Sequence, residues 1–223
     1  MRDYLKRQKK LFTDKQEQRL EELKIMIAGT GGLGTNQALQ LQRIGVKKIY
    51  LYDYDRVEIS NLNRQLCYGR KDIGRPKVEA AAEFLKQFDL ETEITAVNEK
   101  ISEDTKIPED ADIIFDGMDN FESRFILDQL ALENELPFIH AGIEEFFAQI
   151  MLVLPESKQR LKDVFAGSAK TETPAVFSPA VTAAASIQVL EALKYLLNFD
   201  NYLKDQLLHI DLLSSQMEKI DLS

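Results

Sequence analysis

Gly29, Gly31 and Gly34 stand in the spacing G-x-G-x-x-G within KIMIAGTGGLG, and an acid, Asp53, lies 19 residues beyond the last of them. Between a strand and a helix, this spacing suits a nucleotide. Glycine lets a phosphate approach the backbone, the amides of the helix start hold it, and a carboxylate some way on accepts from ribose hydroxyls. The turn is not a Walker loop, because Thr35 and not lysine follows Gly34. From this unit alone, a dinucleotide such as NAD fits as well as ATP. The two ligands differ in what else they require. A pyrophosphate can rest on the helix terminus unaided, whereas a triphosphate with its metal ion needs further cations and at least one carboxylate. Arg64 in SNLNRQ and Lys77 in GRPK can supply the cations, and Asp119 in DGMDN the carboxylate.

These residues must be positioned by regular elements, and the hydrophobic pattern says which. The apolar run Lys24–Ala28 reads as a buried strand and is followed by the glycine turn, with a helix starting near Thr35. Gly34, Ala38, Leu41 and Gly45 share one face of that helix, and Gly45 stops it. KIYLYD, residues 48–53, completes a β-α-β unit. Residues 54–76 form a polar loop longer than most connections, which is itself a functional signal. The pattern then predicts a helix over 77–88, strands over 93–97 and 111–116, a helix over 121–134 and a strand over 137–143. FFAQIMLVL, residues 146–154, follows with no intervening helix, so antiparallel pairing is expected. Residues 156–173 read as an exposed, mobile crossover. Residues 178–197 form an apolar, buried helix, and 207–213 with 216–222 a terminal hairpin. Thr13 or Asp14 can cap a short helix ending near Leu23.

The fold class is α/β, Rossmann-like: a mostly parallel open sheet with an antiparallel C-terminal extension. We expect one domain over 1–223, with a leader helix in 1–23, a nucleotide-binding part in 24–143 and the C-terminal strands and buried helix in 144–223. Composition is that of a soluble globular chain, 44% hydrophobic and 29% charged. A net charge of −9 argues against a nucleic-acid partner, which needs a basic face. The single cysteine rules out a disulfide framework or a multi-cysteine zinc site, and suits a reducing, cytoplasmic setting. The basic N-terminus MRDYLKRQKK lacks the apolar run of a signal peptide, and no segment approaches the ~20 apolar residues of a membrane span.

AGTGGLG, YDYDRVEISNLNRQ, GRPKVEAA and DGMDN, in this order and spacing, resemble the MoeB/ThiF/HesA family, bacterial relatives of ubiquitin-activating enzymes. The resemblance extends over essentially the whole chain and is strongest over 24–82. SNLNRQ followed by G-x-P-K is more discriminating than the glycine turn. The resemblance implies an adenylyltransferase that uses ATP and magnesium to activate the C-terminal glycine of a small ubiquitin-like sulfur-carrier protein ending in Gly-Gly. It further implies that Gly29, Gly31, Gly32 and Gly34 frame the phosphates and that Asp53 binds the ribose. Asn61 and Arg64 would contact the triphosphate, Lys77 the α-phosphate region, and Asp119 the magnesium ion. The leader RQKKLFTDKQEQRL resembles the family's N-terminal segment, which implies that Arg7 reaches a partner subunit's active site in a homodimer.

The chain departs from many members of that family. It lacks the two CxxC pairs of a structural zinc site, so no zinc is expected, and the crossover stretch LKDVFAGSAKTETPAVFSPAV holds no cysteine for a thioester step. Cys67 stands as a sulfur acceptor or, on the plainer view, a small buried hydrophobe. His140 and His209 sit in apolar strand patterns and are expected to pack; Asp55 and Asp116 either assist the site or end strands. The alternatives are activation of another carboxylate, such as a threonylcarbamoyl group on tRNA, and a catalytically silent binding subunit.

Overall fold

The computed structural model describes residues 3–167 and 175–223 of the chain. Its centre is one eight-stranded sheet in the order β3-β2-β1-β4-β5-β6-β7-β8. The strands are β1 (Lys24–Ala28), β2 (Lys48–Tyr52), β3 (Glu93–Val97), β4 (Ile113–Asp116), β5 (Phe138–Glu144), β6 (Phe147–Val153), β7 (Gln206–Asp211) and β8 (Gln216–Asp221). The first five run parallel and the last three antiparallel, so the chain has the Rossmann-like, mostly parallel sheet expected of it. The order of the strands changes direction between β1 and β4. Ligands of open α/β sheets bind outside the carboxyl ends of the strands at such a point.

The α-helices among the described residues are α1 (Asp14–Glu22), α2 (Gly32–Ile44), α3 (Lys77–Lys86), α4 (Phe121–Glu133), α5 (Leu161–Val164) and α6 (Ser178–Leu196). Alternate residues of the central strands divide between two cores. Ile25, Ile27, Ile49, Leu51, Ile113 and Phe115 face α2, α3 and α6, while Met26, Ala28, Ile114 and Phe138 face α4. A strand buried on both faces has no polar side to show, hence the unbroken apolar runs KIMIA and IIF. Thr13 caps α1 in a reciprocal pair with Gln16. Gly45, at φ +89°, closes α2 in the left-handed region. Among the described residues no helix is long and apolar enough to cross a membrane.

Three expectations are corrected. The helix after the glycine turn begins at Gly32, three residues before Thr35, because its first turn is held by packing in spite of glycine's poor propensity. The stretch after β6 is not a freely exposed crossover throughout. Leu161 is fully buried, and Arg160 donates to the Asp128 carboxylate of α4 at 2.5 Å. Residues 168–173 of that crossover lie outside the described residues. The predicted helix of 178–197 is only about half buried: Gln188 and Glu191 are among the buried residues, and Leu190 is exposed.

The glycine turn is fixed by contact between backbones. Gly29 leaves β1 at φ +90°, and a Cβ there would lie 2.6 Å from the Gly117 carbonyl oxygen at the end of β4. A Cβ on Gly34 would lie 1.8 Å from the Gly29 carbonyl oxygen, and one on Gly117 2.7 Å from the same atom. Gly29, Gly34 and Gly117 are therefore interlocked, and no rotamer change relieves a clash with a carbonyl. Gly34→Ala is expected to cost upward of about 3 kcal/mol, at or beyond the usual range for overpacking. Gly69→Ala, whose nearest non-local neighbour is a carboxylate oxygen at 3.9 Å, should stay within about 0.5 kcal/mol of the parent. Urea midpoints measure both, and equal midpoints would remove the interlock.

Candidate active site

The loop between β2 and α3 is long but well tied. Val57 accepts from the Gly74 amide and donates to the Arg75 carbonyl, at 2.8 and 2.9 Å, so its two ends run side by side. Within it, Asn61 closes one 3-10 turn by accepting the Glu58 amide at 3.0 Å, and Asp72 closes another by accepting the Gly69 amide at 2.9 Å. Val57, Cys67 and Tyr68 anchor the loop in the core. The Tyr68 hydroxyl, whose pKa burial pushes upward, donates to the Thr30 carbonyl at 2.7 Å, which ties the loop to the glycine turn. The Lys77 amide donates to the Asp55 carbonyl at 2.8 Å, so α3 starts where the loop returns to β2.

This folding brings residues 13 positions apart, Arg64 and Lys77, to one cleft of about 210 Å³, together with Asn61 and Asp119. Asp55, Arg56, Glu58 and Gln65 complete its lining. Every lining residue is polar, and the volume is below the ~300 Å³ at which small-molecule pockets begin. The cleft therefore suits phosphates rather than a base. The three cations Arg56, Arg64 and Lys77 are matched by three carboxylates, Asp55, Glu58 and Asp119. Lys77 is buried and pairs with Asp55 at 2.9 Å. The Arg64 guanidinium is held by the Ser60 carbonyl and the Asn63 side chain, at 3.1 and 2.8 Å, and makes no ion pair among the described residues. It is a fixed, uncompensated cation at the rim of the site.

Asp53 ends up buried rather than open. Its carboxylate accepts from the Thr30 amide (2.7 Å), the Thr30 hydroxyl (2.8 Å) and the Asp55 amide (2.8 Å). It thus fixes the glycine turn to the strand that carries it, whatever else it contacts. Gly31 and Gly32 lie against the loop. A Cβ on Gly31 would be 3.7 Å from the Gln65 side-chain nitrogen, and one on Gly32 3.5 Å from the Arg64 stem. The turn therefore adjoins the cleft across Gln65 and Arg64, although none of Gly29, Gly31, Gly32, Gly34 and Asp53 lines it. Arg7 does not line it either. It is exposed between two 3-10 turns, while Leu5 is buried and Gln8 donates to the Ile44 carbonyl at 2.8 Å.

DGMDN is a built turn. Asp116 ends β4, fully buried, and one of its oxygens accepts the Met118 amide at 2.9 Å. Asn120 caps α4 by accepting the Ser123 amide at 2.9 Å, and its amide donates to Asp119 at 3.1 Å. Asp119 itself is exposed at the cleft. Among the described residues no cluster of three or more His, Cys, Asp or Glu side chains is placed to hold a metal ion. One carboxylate beside a phosphate site fits magnesium, which is held through one or two carboxylates, substrate phosphates and water.

The pattern of types had not marked Gln65, Glu58 or Arg56. Gln65 is buried beside Gly31, and its side-chain oxygen has no hydrogen-bond partner. Its signal is the position directly after Arg64 in SNLNRQ. The packing expected of His140 is also too plain. Its Nδ1 lies 2.6 Å from the Asp116 carboxylate and its Nε2 3.4 Å from the Gln149 amide nitrogen. Burial lowers its pKa, so it is neutral, with Nδ1–H donating and Nε2 accepting. His209 stacks on Phe147 as a packing residue.

The profile of the ThiF family matches residues 5–223. The chain is 33% identical over 188 residues to the sulfur carrier protein ThiS adenylyltransferase of Bacillus subtilis, covering 81% of this chain and 56% of that one. It is 31% identical over 213 residues to the molybdopterin-synthase adenylyltransferase of Haemophilus influenzae, covering 92% of this chain and 88% of that one. The chain thus spans little more than half the length of the first relative and most of the second. Among solved structures, Escherichia coli MccB with AMPCPP and MccA superposes with a TM-score of 0.83 at 22% identity, over 94% of this chain and 66% of that one.

Cys67 is buried, its thiol directed at the Thr35 carbonyl, and desolvation pushes its pKa up to about 12. At pH 8 the reactive thiolate is therefore far scarcer than the roughly one in four of an ordinary cysteine. Iodoacetamide should therefore label native protein at least about 100-fold more slowly than protein unfolded in urea. Comparable rates at pH 8, followed by mass spectrometry, would show an accessible thiolate instead.

Proposed function

The chain belongs to the ThiF family, and on that membership and the cleft we propose that it is an ATP-dependent adenylyltransferase. Its substrate is the C-terminal glycine carboxylate of a small ubiquitin-like sulfur-carrier protein. The observation that carries the reading is the convergence of Asn61, Arg64, Lys77 and Asp119 on one phosphate-sized cleft at the reversal of strand order. A simple NAD site has no need of that set. The names of the two relatives, both adenylyltransferases, support the same reaction.

The carboxylate is ionised at neutral pH and is itself the nucleophile, so little acid–base help is required. It attacks the α-phosphorus of ATP; the new C–O–P bond forms as the bond to the β-phosphate oxygen breaks, and pyrophosphate leaves. The chain's task is position and charge. The amides of the glycine turn and the α2 terminus face the phosphates. Lys77, already oriented by Asp55, offsets charge near the α-phosphate, and Arg64 does so along the triphosphate with Asn61 beside it. Asp53, with its hydrogen bonds from Thr30 and Asp55, stands at the ribose end. Asp119 would hold a magnesium ion, which would supply the positive charge that the balanced lining lacks. Arg7, exposed and unpaired among the described residues, would act on the cleft of a second copy, in a homodimer.

Pyrophosphate–ATP exchange dependent on a Gly-Gly carrier, with the carrier–AMP adduct seen by mass, tests the reaction. Lys77→Ala should lower exchange by on the order of 10²–10³; near-parental exchange would sink the assignment. Arg7→Ala should be similarly impaired. Mixing it with Lys77→Ala should recover part of the activity, because hybrid dimers regain one complete site. No recovery counts against action across subunits.

A further inference from the structure

The active-site reading uses Asp119 but leaves unexplained a buried charged cluster directly beneath it. Asp116, Arg124 and His140 are all within the core, where an ionised carboxylate is costly unless it is fully paired. Here both Asp116 oxygens have partners, although the buried Arg124 Nε is an ion-pair neighbour that makes no hydrogen bond. One Asp116 oxygen meets His140 Nδ1 at 2.6 Å and Arg124 Nε at 3.1 Å; the other accepts the Met118 amide at 2.9 Å. Arg124 closes the ring by donating to the Met118 carbonyl at 2.7 Å. Both polar groups flanking residue 118 are thus gripped by one ion pair, on the residue next to Asp119. His140 is in turn held by Gln149, which crosses from β6 over Gly142. A Cβ on Gly142 would lie 2.7 Å from the Gln149 side-chain nitrogen, so a side chain there would block the crossing.

We propose that His140 is a positioning residue for metal-bound nucleotide, acting through Asp116 and the Met118 backbone to hold the Asp119 carboxylate at the cleft. The geometry separates this role from packing. A packing residue needs volume between Phe121 and Phe165, whose rings lie 6.4 and 5.3 Å from the imidazole. A positioning residue also needs an N–H at the δ position. Without it, Asp116 loses its shortest partner and can turn toward Arg124, releasing the Met118 amide. Asp119 then keeps only its contact with Asn120. The glycine turn is not released with it, because the Asp116 carbonyl remains held by Gln37 and Gln188, each at 3.0 Å. The consequence should fall on the metal-dependent part of nucleotide binding and spare the rest.

The inference rests on the proposed ATP and magnesium site, and the test separates the two. The probes are AMPCPP, titrated calorimetrically with Mn²⁺ or with EDTA, and the electron paramagnetic resonance signal of Mn²⁺ in the ternary complex. For the parent protein, Mn²⁺ should tighten AMPCPP binding; no tightening overturns the site reading and this proposal together. His140→Phe, which fills the volume without the donor, should lose about tenfold of the Mn²⁺-dependent tightening, the lower end of the effect of removing a supporting partner from a metal ligand. Its affinity in EDTA should stay within about twofold. His140→Asn, which restores an N–H at the δ position, should recover most of the loss. In an Asp119→Asn background, His140→Phe should have no further effect on Mn²⁺ dependence. If His140→Phe fails to fold, His140→Leu takes its place with the same expectation. Undiminished tightening in the donorless variant, an equal loss in EDTA, or no recovery with asparagine each overturns the positioning role while leaving the site reading intact.

Discussion

The contact on which the rest depends is between backbones, at the ends of β1 and β4. Gly29, Gly34 and Gly117 meet so closely that a single Cβ on any of them would overlap a carbonyl oxygen. That approach sets where α2 begins and how near the glycine turn lies to the DGMDN turn. It also places the two loops at the same reversal of strand order, where a crevice opens outside the sheet. A glycine spacing commonly read as a phosphate signature therefore serves first as a packing requirement. The two glycines left over, Gly31 and Gly32, face Gln65, Arg64 and α6.

Around this contact, charge is handled in two ways. Buried charges are closed into rings: Asp53 accepts three hydrogen bonds, and Asp116 is shared among His140, Arg124 and a backbone amide. Such rings repay desolvation by specifying one geometry. At the cleft, by contrast, Arg64 is steered only by a carbonyl and a side-chain amide, which orient a guanidinium without neutralising it. Lys77 is intermediate, since a buried ammonium needs a partner and Asp55 provides one that is itself half exposed. Preorganised cations cost little reorganisation when charge develops on a bound phosphate.

Much of this was legible in the residues. Strands buried on both faces announce themselves as apolar runs, and β1 and β3 fall at the expected residues, with β2 within one of them. Arg64, Lys77 and Asp119 do share a cleft, because strand ends in this kind of sheet converge. What was not legible depends on contacts distant in the chain. The start of α2 at Gly32 contradicts local propensity and is decided by Gly29, Val181 and Arg64 packing around it. Leu161 and Arg160 read as part of a polar crossover, yet Asp128, more than thirty residues earlier, draws them onto α4. His140 looks like any polar interruption of an apolar strand until Asp116 is seen beside it. In each case the deciding partner belongs to another element, and no periodicity within a segment records it.

The chemistry that the site lacks is as informative as the chemistry it has. Covalent capture of an activated acyl group requires a nucleophile that is both exposed and ionised. The one cysteine in these 223 residues is neither: Cys67 lies under the loop with its thiol far above its usual pKa. Freeing it would mean lifting Val57 and Tyr68 with it, and Tyr68 is bonded to the Thr30 carbonyl of the glycine turn. Exposing the thiol would thus disturb the glycine turn to which Tyr68 is bonded. On the proposed reaction, the adenylate formed at the cleft must then be discharged by a nucleophile other than Cys67. An open, polar cleft with its charged groups at the rim leaves room for that approach.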